Sequence, residues 1–420
     1  MKQNGEKRSI LCIDLKSFFA TAECVDRGLD PFSYPLVVAN PKQGNGAITL
    51  AVTPYLKNLG VKGRSRLYEI PKNIKYEIVP PRMSLYSKLS KEVVDVYLSF
   101  VAEEDLYVYS IDEAWLDVTD YLSFYQKDDY ALALEILDTI TKKTGLYGSC
   151  GIGPNMFLAK VAMDTQAKKY HESIAKWIFE DVEKELWEIT PLSKIWGIGP
   201  RVQSKLNNLG IYKMRDLAFY NKAKLEQKFG VMGLELHNHA NGIDNRRIRD
   251  WKEQPKDKSY SHSQVLFKDY NGNNIKLIIE EMVDVICARL RETKKEAQGI
   301  GFGIGYSKTV GGSFYHMMKL NVPTSSTRDV VDICFGIFDK YYDNSPIRRV
   351  TIAFSRLEDK RSVQLDLFQN HEVKEKEDSI NSAVDTIKNK YGKNSLIKAS
   401  SLFPDSTAIE RNKKKGGHSL

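Results

Sequence analysis

No apolar run in the 420 residues approaches the roughly 18 needed to cross a bilayer, so the sequence offers no spanning helix. Its opening, Met1-Lys2-Gln3-Asn4-Gly5-Glu6-Lys7-Arg8, leads into only a short apolar segment. A signal peptide is therefore not expected, and a cytoplasmic setting is. Cysteine is scarce: Cys12, Cys24, Cys150, Cys287 and Cys334 are odd in number, widely scattered and never in a C-x-x-C pair. That spacing argues against a disulfide framework and a zinc site, leaving buried thiols as the expectation. Neither sign of charge dominates, since 62 Lys and Arg stand against 54 Asp and Glu for a net +8 and a pI near 8.9. A balance this mildly basic permits a polyanionic partner without requiring one. What remains is an ordinary hydrophobic fraction of 42% on a chain long enough for two to four domains with real cores.

Against this background two adjacent acids draw notice. Leu106-Tyr107-Val108-Tyr109-Ser110 alternates as a half-buried strand does, and residues 115–118 read as a second strand. Asp112 and Glu113 thus fall at a tight strand-to-strand connection, where two carboxylates mean either a held cation or a solvated turn. A third acid comes from the amino-terminal part. Ile10-Leu11-Cys12-Ile13 is a short strand ending at Asp14, and residues 15–24 read as a helix that follows it, so Asp14 is a helix cap or a functional acid.

From about residue 31 to residue 81 the texture changes to short strand-like runs (35–39 and 47–52), glycines, prolines and the basic residues Lys57, Lys62, Arg64 and Arg66. This reads as a small inserted subdomain with a basic face. Helical periodicity returns over residues 86–101 and 130–143, and a strand over 146–152 leads through Gly153-Pro154 into a helix over 155–169. Without the insertion the order is β-α-β-β-α-β, the ferredoxin-like arrangement, in which strands one and three lie side by side. Asp14 then meets Asp112 and Glu113 at one sheet edge. Three hard oxygen ligands suit Mg²⁺, and a pair of such ions about 4 Å apart clamps the attacking and leaving oxygens of an in-line displacement.

Farther on, Ile195-Trp196-Gly197-Ile198-Gly199-Pro200-Arg201 through Lys205 to Ile211 has the pattern of helix, glycine hairpin and helix. Glycines there let the backbone approach a phosphate, at which the amides of the next helix point. His237 and His239 form a tempting metal pair without a further ligand, and read as helix-surface residues. Residues 245–258 are a basic tether, either a solvated linker or a backbone contact. A separate α+β domain follows, with strands over 263–267, 299–306, 314–322 and 348–354 and helices over 275–297 and 327–342. After residue 357 the composition turns polar, predicting a mobile tail. The apolar cluster Gln364-Leu365-Asp366-Leu367-Phe368 within it is either an element capping the body or a docking peptide.

Three runs in this order, Asp14-Leu15-Lys16-Ser17-Phe18-Phe19-Ala20, Ser110-Ile111-Asp112-Glu113-Ala114, and Gly151-Ile152-Gly153-Pro154-Asn155-Met156-Phe157-Leu158-Ala159-Lys160 with Ala167-Lys168, resemble the Y-family, translesion DNA polymerases. The likeness is to their UmuC-like branch in Gram-positive bacteria and mobile elements, over roughly residues 9–357 plus the tail peptide. It implies a multidomain α+β fold: a ferredoxin-like palm (1–17 and 84–180) with inserted fingers (18–83) and a helical thumb (181–247) carrying a helix-hairpin-helix. A linker (248–259), an α+β little finger (260–357) and a flexible tail (358–420) complete it. The same resemblance makes Asp14, Asp112 and Glu113 ligands for two Mg²⁺ ions, for which Mn²⁺ can substitute, and Phe19 the steric gate against the incoming sugar. It places Lys57, Lys168 and the backbone at Lys16, Ser17 and Phe18 on the triphosphate, and Ile48 and Leu50 over the nascent base pair. Gly197, Gly199, Arg201 and Lys205 fall on the DNA backbone, and Gln364, Leu365, Leu367 and Phe368 on a bacterial sliding clamp. Primer-template DNA and a dNTP are the remaining implied partners of an otherwise monomeric protein without membrane attachment. The chain departs from the family where Pro54 and Tyr55 replace a usual Tyr-Glu, where Met156 replaces a common lysine, and where Ile48 and Leu50 are bulkier than usual, which narrows the lesions tolerated.

Two other readings share the three acids: a palm-domain nucleotidyl transferase or cyclase that works without a template, and a non-catalytic DNA-binding regulator. The hairpin, the basic carboxy-terminal domain and the tail peptide have no task in the first. The intact acids have none in the second.

Overall fold

The computed structural model describes residues 8–168, 173–251, 259–360, 371–415 and 418–419, and the chain divides into two compact units at residues 254 and 255. In the first, β1 (Ile10–Leu15) leads into helix α1 (Phe18–Asp26), followed by three short strands, β2 (Leu36–Val38), β3 (Ala51–Val52) and β4 (Glu77–Val79). Next come α2 (Met83–Leu98), β5 (Leu106–Val108), β6 (Glu113–Asp117), α3 (Asp129–Thr144), β7 (Gly148–Gly153), α4 (Met156–Ala162) and β8 (Ile174–Lys176).

The main sheet has the order β5-β6-β1-β7-β8, with β1 antiparallel to both its neighbours and β8 added in parallel beyond β7. Side chains of β1 alternate between two cores, as a strand period of two requires. Leu11, Ile13 and Leu15 pack with α1, α2 and α3 through Ala22, Val93, Val96, Ile136 and Ile140. Ile10 and Cys12 face the other way, against Trp115, Met156, Ala159 and Met163. A strand buried on both faces reads as a continuous apolar run, which is what Ile10 to Ile13 is. β2, β3 and β4 form a separate sheet of order β3-β2-β4 around Val37, Val52 and Leu56.

The remainder of this unit is helical, with α5 (Pro200–Asn207) and α6 (Val231–Ala240) packed around Leu206, Ile211, Leu217, Leu225 and Leu236. Several expectations are corrected. Leu15 stays in β1, and α1 begins only at Phe18. The strand expected over 47–52 is reduced to β3 and a single bridge between Ile48 and Arg66. The helix expected over 155–169 ends as a π-turn, Met163–Ala167. His239 is not a surface residue: it is buried with its ring stacked 4.2 Å from that of Phe157. All five cysteines are buried and free.

The second unit repeats the β-α-β-β-α-β order, with β9 (Tyr260–Tyr270), α7 (Ile275–Glu292), β10 (Lys295–Tyr306), β11 (Ser313–Thr324), α8 (Thr327–Tyr341) and β12 (Ile347–Asp359). Its sheet has a different order, β11-β10-β12-β9. Both helices cover one face through Ile278, Met282, Ile286, Ile337 and Phe338. On the other face Gly299, Gly301, Gly303 and Gly305 run along β10, flanked by Tyr315 and Met317, both about half exposed.

The mobile tail is likewise corrected. Residues 371–391 form α9 (His371–Tyr391), whose Asp385 pairs with Arg291 at 2.6 Å. Beyond it the buried carboxylate of Glu281 on α7 accepts from the Thr407 amide and hydroxyl, each at 3.1 Å, and from the Ser406 hydroxyl. One buried acid thereby anchors a segment whose composition is that of a solvated chain. The peptide 364–368 and most of the tether, 252–258, lie outside the described residues.

Candidate active site

The register of β1 against β6 sets Asp14 directly opposite Glu113, and the Leu15 amide donates to the Asp112 carbonyl at 2.9 Å. The Tyr109 and Ser110 amides both donate to the Glu113 carbonyl, closing the connection from β5 tightly. Asp112 is held in turn by the Ser110 hydroxyl at 2.7 Å. Three carboxylates thus share one rim of the sheet. Burial, the repulsion of Asp112 and that of Glu113 push the Asp14 carboxyl up to about 6, against the pull of the Lys168 and Lys160 ammonium groups.

Among the described residues, no three Asp, Glu, His or Cys side chains are grouped so as to hold a metal ion as they stand. Two lysines pair with these acids. Lys160 Nζ is 2.7 Å from Glu113 Oε1, and Lys168 Nζ is 3.3 Å from Asp14 Oδ1. In kind the donors fit a hard divalent cation, which uses a few carboxylates together with water and substrate phosphates. In arrangement they are partly occupied by ammonium groups. Both lysines also reach Asp164, Lys160 at 3.1 Å and Lys168 at 2.8 Å. The sequence reading gives Lys160 no charge partner and Asp164 no role. The signal for them is the four-residue spacing 160, 164, 168 on a helical stretch.

α4 sits this close because β7 carries glycine where it crosses: a Cβ on Gly151 would collide with the Ala159 carbonyl, and one on Gly153 would lie 2.5 Å from the Ala159 amide. Asn155 caps the helix, its side chain accepting from the Leu158 amide at 2.9 Å.

Around the acids, the other residues singled out from sequence divide into those near the rim and those aimed elsewhere. Ser17 joins β1 to α1 with φ 50°, a left-handed conformation that non-glycine residues seldom adopt, and its buried hydroxyl has no partner among the described residues. Phe18 is buried in the core, so only its backbone is at the site. Lys16 Nζ bonds the Ser173 hydroxyl, and burial lowers its ammonium pKa. Lys57 feels Asp14, Lys168 and Asp112, with its pKa lowered chiefly by loss of solvent. Ile48 is exposed beside Arg66, whereas Leu50 is half-buried against the same core as Phe19.

Phe19 stacks on Tyr86 with ring centroids 4.4 Å apart and planes 15° from parallel. The Tyr86 hydroxyl donates to Glu23 at 2.6 Å, and Arg82 meets the same fully buried carboxylate at 2.6 Å. Sequence reasoning finds Phe19 and misses this support, which comes from one turn of α1 and the start of α2.

In the helical part, Gly197 has φ 87° and Gly199 is the residue before α5, where Pro200 starts the helix. Neither glycine has an atom within 4 Å of an added Cβ, and Arg201 and Lys205 are exposed along α5. Trp196 seats the hairpin beside the main sheet, 5.5 Å from the Trp115 ring.

Comparison with known proteins follows the same lines. The impB/mucB/samB family matches residues 13–164, its C-terminal domain matches 257–367, and the IMS family HHH motif matches 180–211. The chain is 37% identical to UvrX of Bacillus subtilis (strain 168), named for UV-damage repair, over 98% of each chain. It is 30% identical to DNA polymerase IV 2 of the same organism, over 98% of this chain and 99% of that one. Among solved structures, a Y-family DNA polymerase chimera (Dbh-Dpo4-Dbh) shares the fold with a TM-score of 0.65 at 21% identity, covering 84% of this chain and 99% of the other. No helix among the described residues is long and apolar enough to cross a membrane. With its rim of acids, its hairpin and its second α+β unit in the order these matches require, the chain belongs to the impB/mucB/samB family of Y-family DNA polymerases.

Proposed function

We propose that the protein is a template-directed, low-fidelity DNA polymerase for translesion synthesis, adding dNTPs to a primer 3′ end in the cytoplasm. The observation that carries this reading is the register setting Asp14 opposite Glu113, with Asp112 on the adjoining turn, at the open end of a ferredoxin-like sheet. Asp14, Asp112 and Glu113 would hold two Mg²⁺ ions, or Mn²⁺ in their place. Bound there, divalent ions supply neutralisation of developing charge and a lowered pKa for the attacking hydroxyl.

The chain's own groups do the rest. Lys168 and Lys57 face the triphosphate, and the Ser17 and Phe18 amides at the start of α1 donate to its oxygens, while the Lys16 amide is taken by the Tyr147 carbonyl at 2.7 Å and is not available for that contact. Phe19 lies against C2′ and leaves no room for a ribose hydroxyl. Gly197, Gly199, Arg201 and Lys205 contact the duplex backbone without reading sequence, and the sheet face of the second unit opposite its two helices, where Tyr315 and Met317 are about half exposed, offers a further surface to it. Residues 364–368 recruit a sliding clamp. An untemplated transferase would leave the hairpin and that sheet face without a role.

The test is extension of a primed template past a blocking lesion with Mg²⁺ and single dNTPs, with and without clamp. Asp112→Ala should lower extension on the order of 1000-fold or more while primer-template binding stays near wild type. Retained extension in Asp112→Ala would overturn the metal assignment.

A further inference from the structure

We infer that Asp164 is a positioning residue that frees the metal-ligand carboxylates by giving two lysines a second anionic partner. The inference rests on the polymerase reading for the roles of Asp14 and Glu113. Its geometry is that of a chain of alternating charge: Glu113, Lys160, Asp164, Lys168 and Asp14 alternate in sign at 2.7, 3.1, 2.8 and 3.3 Å.

The backbone is built to hold the three middle members on one face. Along a regular α-helix, residues four apart drift by roughly 40°, so two such steps carry Lys168 roughly 80° away from Lys160. The π-turn Met163–Ala167 takes in one extra residue, with the Lys168 amide bonded to the Met163 carbonyl at 3.3 Å. That added residue rotates Lys168 back over Asp164.

Energetics then assigns the task. The Lys160 side chain is only 8% exposed, and a buried ammonium cannot be left without a counter-charge. If Glu113 were its single partner, turning Glu113 toward a divalent cation would strand Lys160. With Asp164 in place, Lys160 keeps a partner as Glu113 leaves. The same holds at the other end, where Lys168 can quit Asp14 for a phosphate oxygen while keeping Asp164. Without Asp164 both lysines settle on the two acids that the metal needs, and one lysine is withheld from the triphosphate.

The experiment compares wild type, Asp164→Asn and Asp164→Glu in the full chain. Mn²⁺ binding, followed by electron paramagnetic resonance in the absence of DNA and nucleotide, should weaken about tenfold in Asp164→Asn, and the KM for dNTP should rise about tenfold while primer-template affinity is unchanged. Asp164→Glu should restore most of both. Unchanged Mn²⁺ affinity and KM in Asp164→Asn with only a lowered Tm would reduce Asp164 to a structural ion pair and overturn the inference, as would Asp164→Glu behaving like Asp164→Asn. Failure of the polymerase reading is separately visible: wild type would then extend no primer, while the Mn²⁺ titration would still report on Asp164.

Discussion

Phe19 can select a sugar only if its ring cannot yield, and the stack on Tyr86, itself fixed by Glu23, supplies that rigidity. Phe19→Ala should raise ribonucleotide incorporation on the order of 10- to 100-fold, measured as the ratio of kcat/KM for a dNTP and its ribo counterpart. Unchanged selection would remove Phe19 from the gate. The support below it titrates in a defined direction. Burial raises the Glu23 carboxyl, but hydrogen bonds from Arg82, Tyr86 and Arg27 outweigh it and leave the pKa below its ordinary 4.5. The stability Glu23 contributes is therefore complete above pH 4.5 and is lost as pH falls below that value. Glu23→Gln should cost about 1–3 kcal/mol near pH 7 and progressively less toward pH 3, read from urea midpoints across that range. A deficit that does not shrink on acidification would show that the loss is one of packing. The meeting of Asp14 with Asp112 and Glu113 is legible in the sequence because short motifs and the strand order carry it. The support from Tyr86, Glu23 and Arg82 is not, because a ring stack across 67 residues of chain leaves no local pattern.

At the scale of elements, alternation and helical periodicity give the β-α-β-β-α-β order, and with it the meeting of β1 and β6. Boundaries set by backbone detail are invisible to periodicity. Leu15 suits a strand or a helix, and the turn at Ser17 depends on a left-handed φ that no apolar spacing encodes. The π-turn is hidden for the same reason, since Met163 and Ala167 continue an apolar stripe in either geometry. Composition also misleads at His239, a polar residue seated on the Phe157 ring. The contact between β7 and α4 is the element-level feature on which the site depends most. A side chain at Gly151 would meet the Ala159 carbonyl and the Met163 amide, both backbone atoms that cannot rotate aside. Gly151→Ala should therefore push α4 outward, destabilise the fold by about 1–3 kcal/mol and draw Lys160 away from Glu113. The check is a lowered Tm together with reduced primer extension. Full activity at an unchanged Tm would mean that the helix can shift without disturbing the acids.

At the scale of the whole molecule, both units contain a β-α-β-β-α-β core yet build different sheets from it, β5-β6-β1-β7-β8 in one and β11-β10-β12-β9 in the other. Element order is written in the pattern of apolar residues; strand order follows from which faces can be buried together, a non-local choice. The carboxy-terminal segment illustrates the same limit. Its polar composition predicts a free tail, but Asp385 pairs with Arg291, and Glu281 captures Ser406 and Thr407. Residues 361–370 lie outside the described residues and fall in sequence between β12 and α9. Shortening that stretch could displace either element, so its proposed clamp contact is best tested at constant length. Leu367→Ala with Phe368→Ala removes the two apolar groups that a clamp pocket would take while keeping all ten residues. Stimulation of extension by the sliding clamp should be lost, with extension in its absence and Tm both as in wild type. Equal stimulation of the two forms would place the docking determinant elsewhere in the chain. Loss of extension without clamp would instead mean that Leu367 and Phe368 cap the folded body, the other role open to an apolar cluster in a polar stretch.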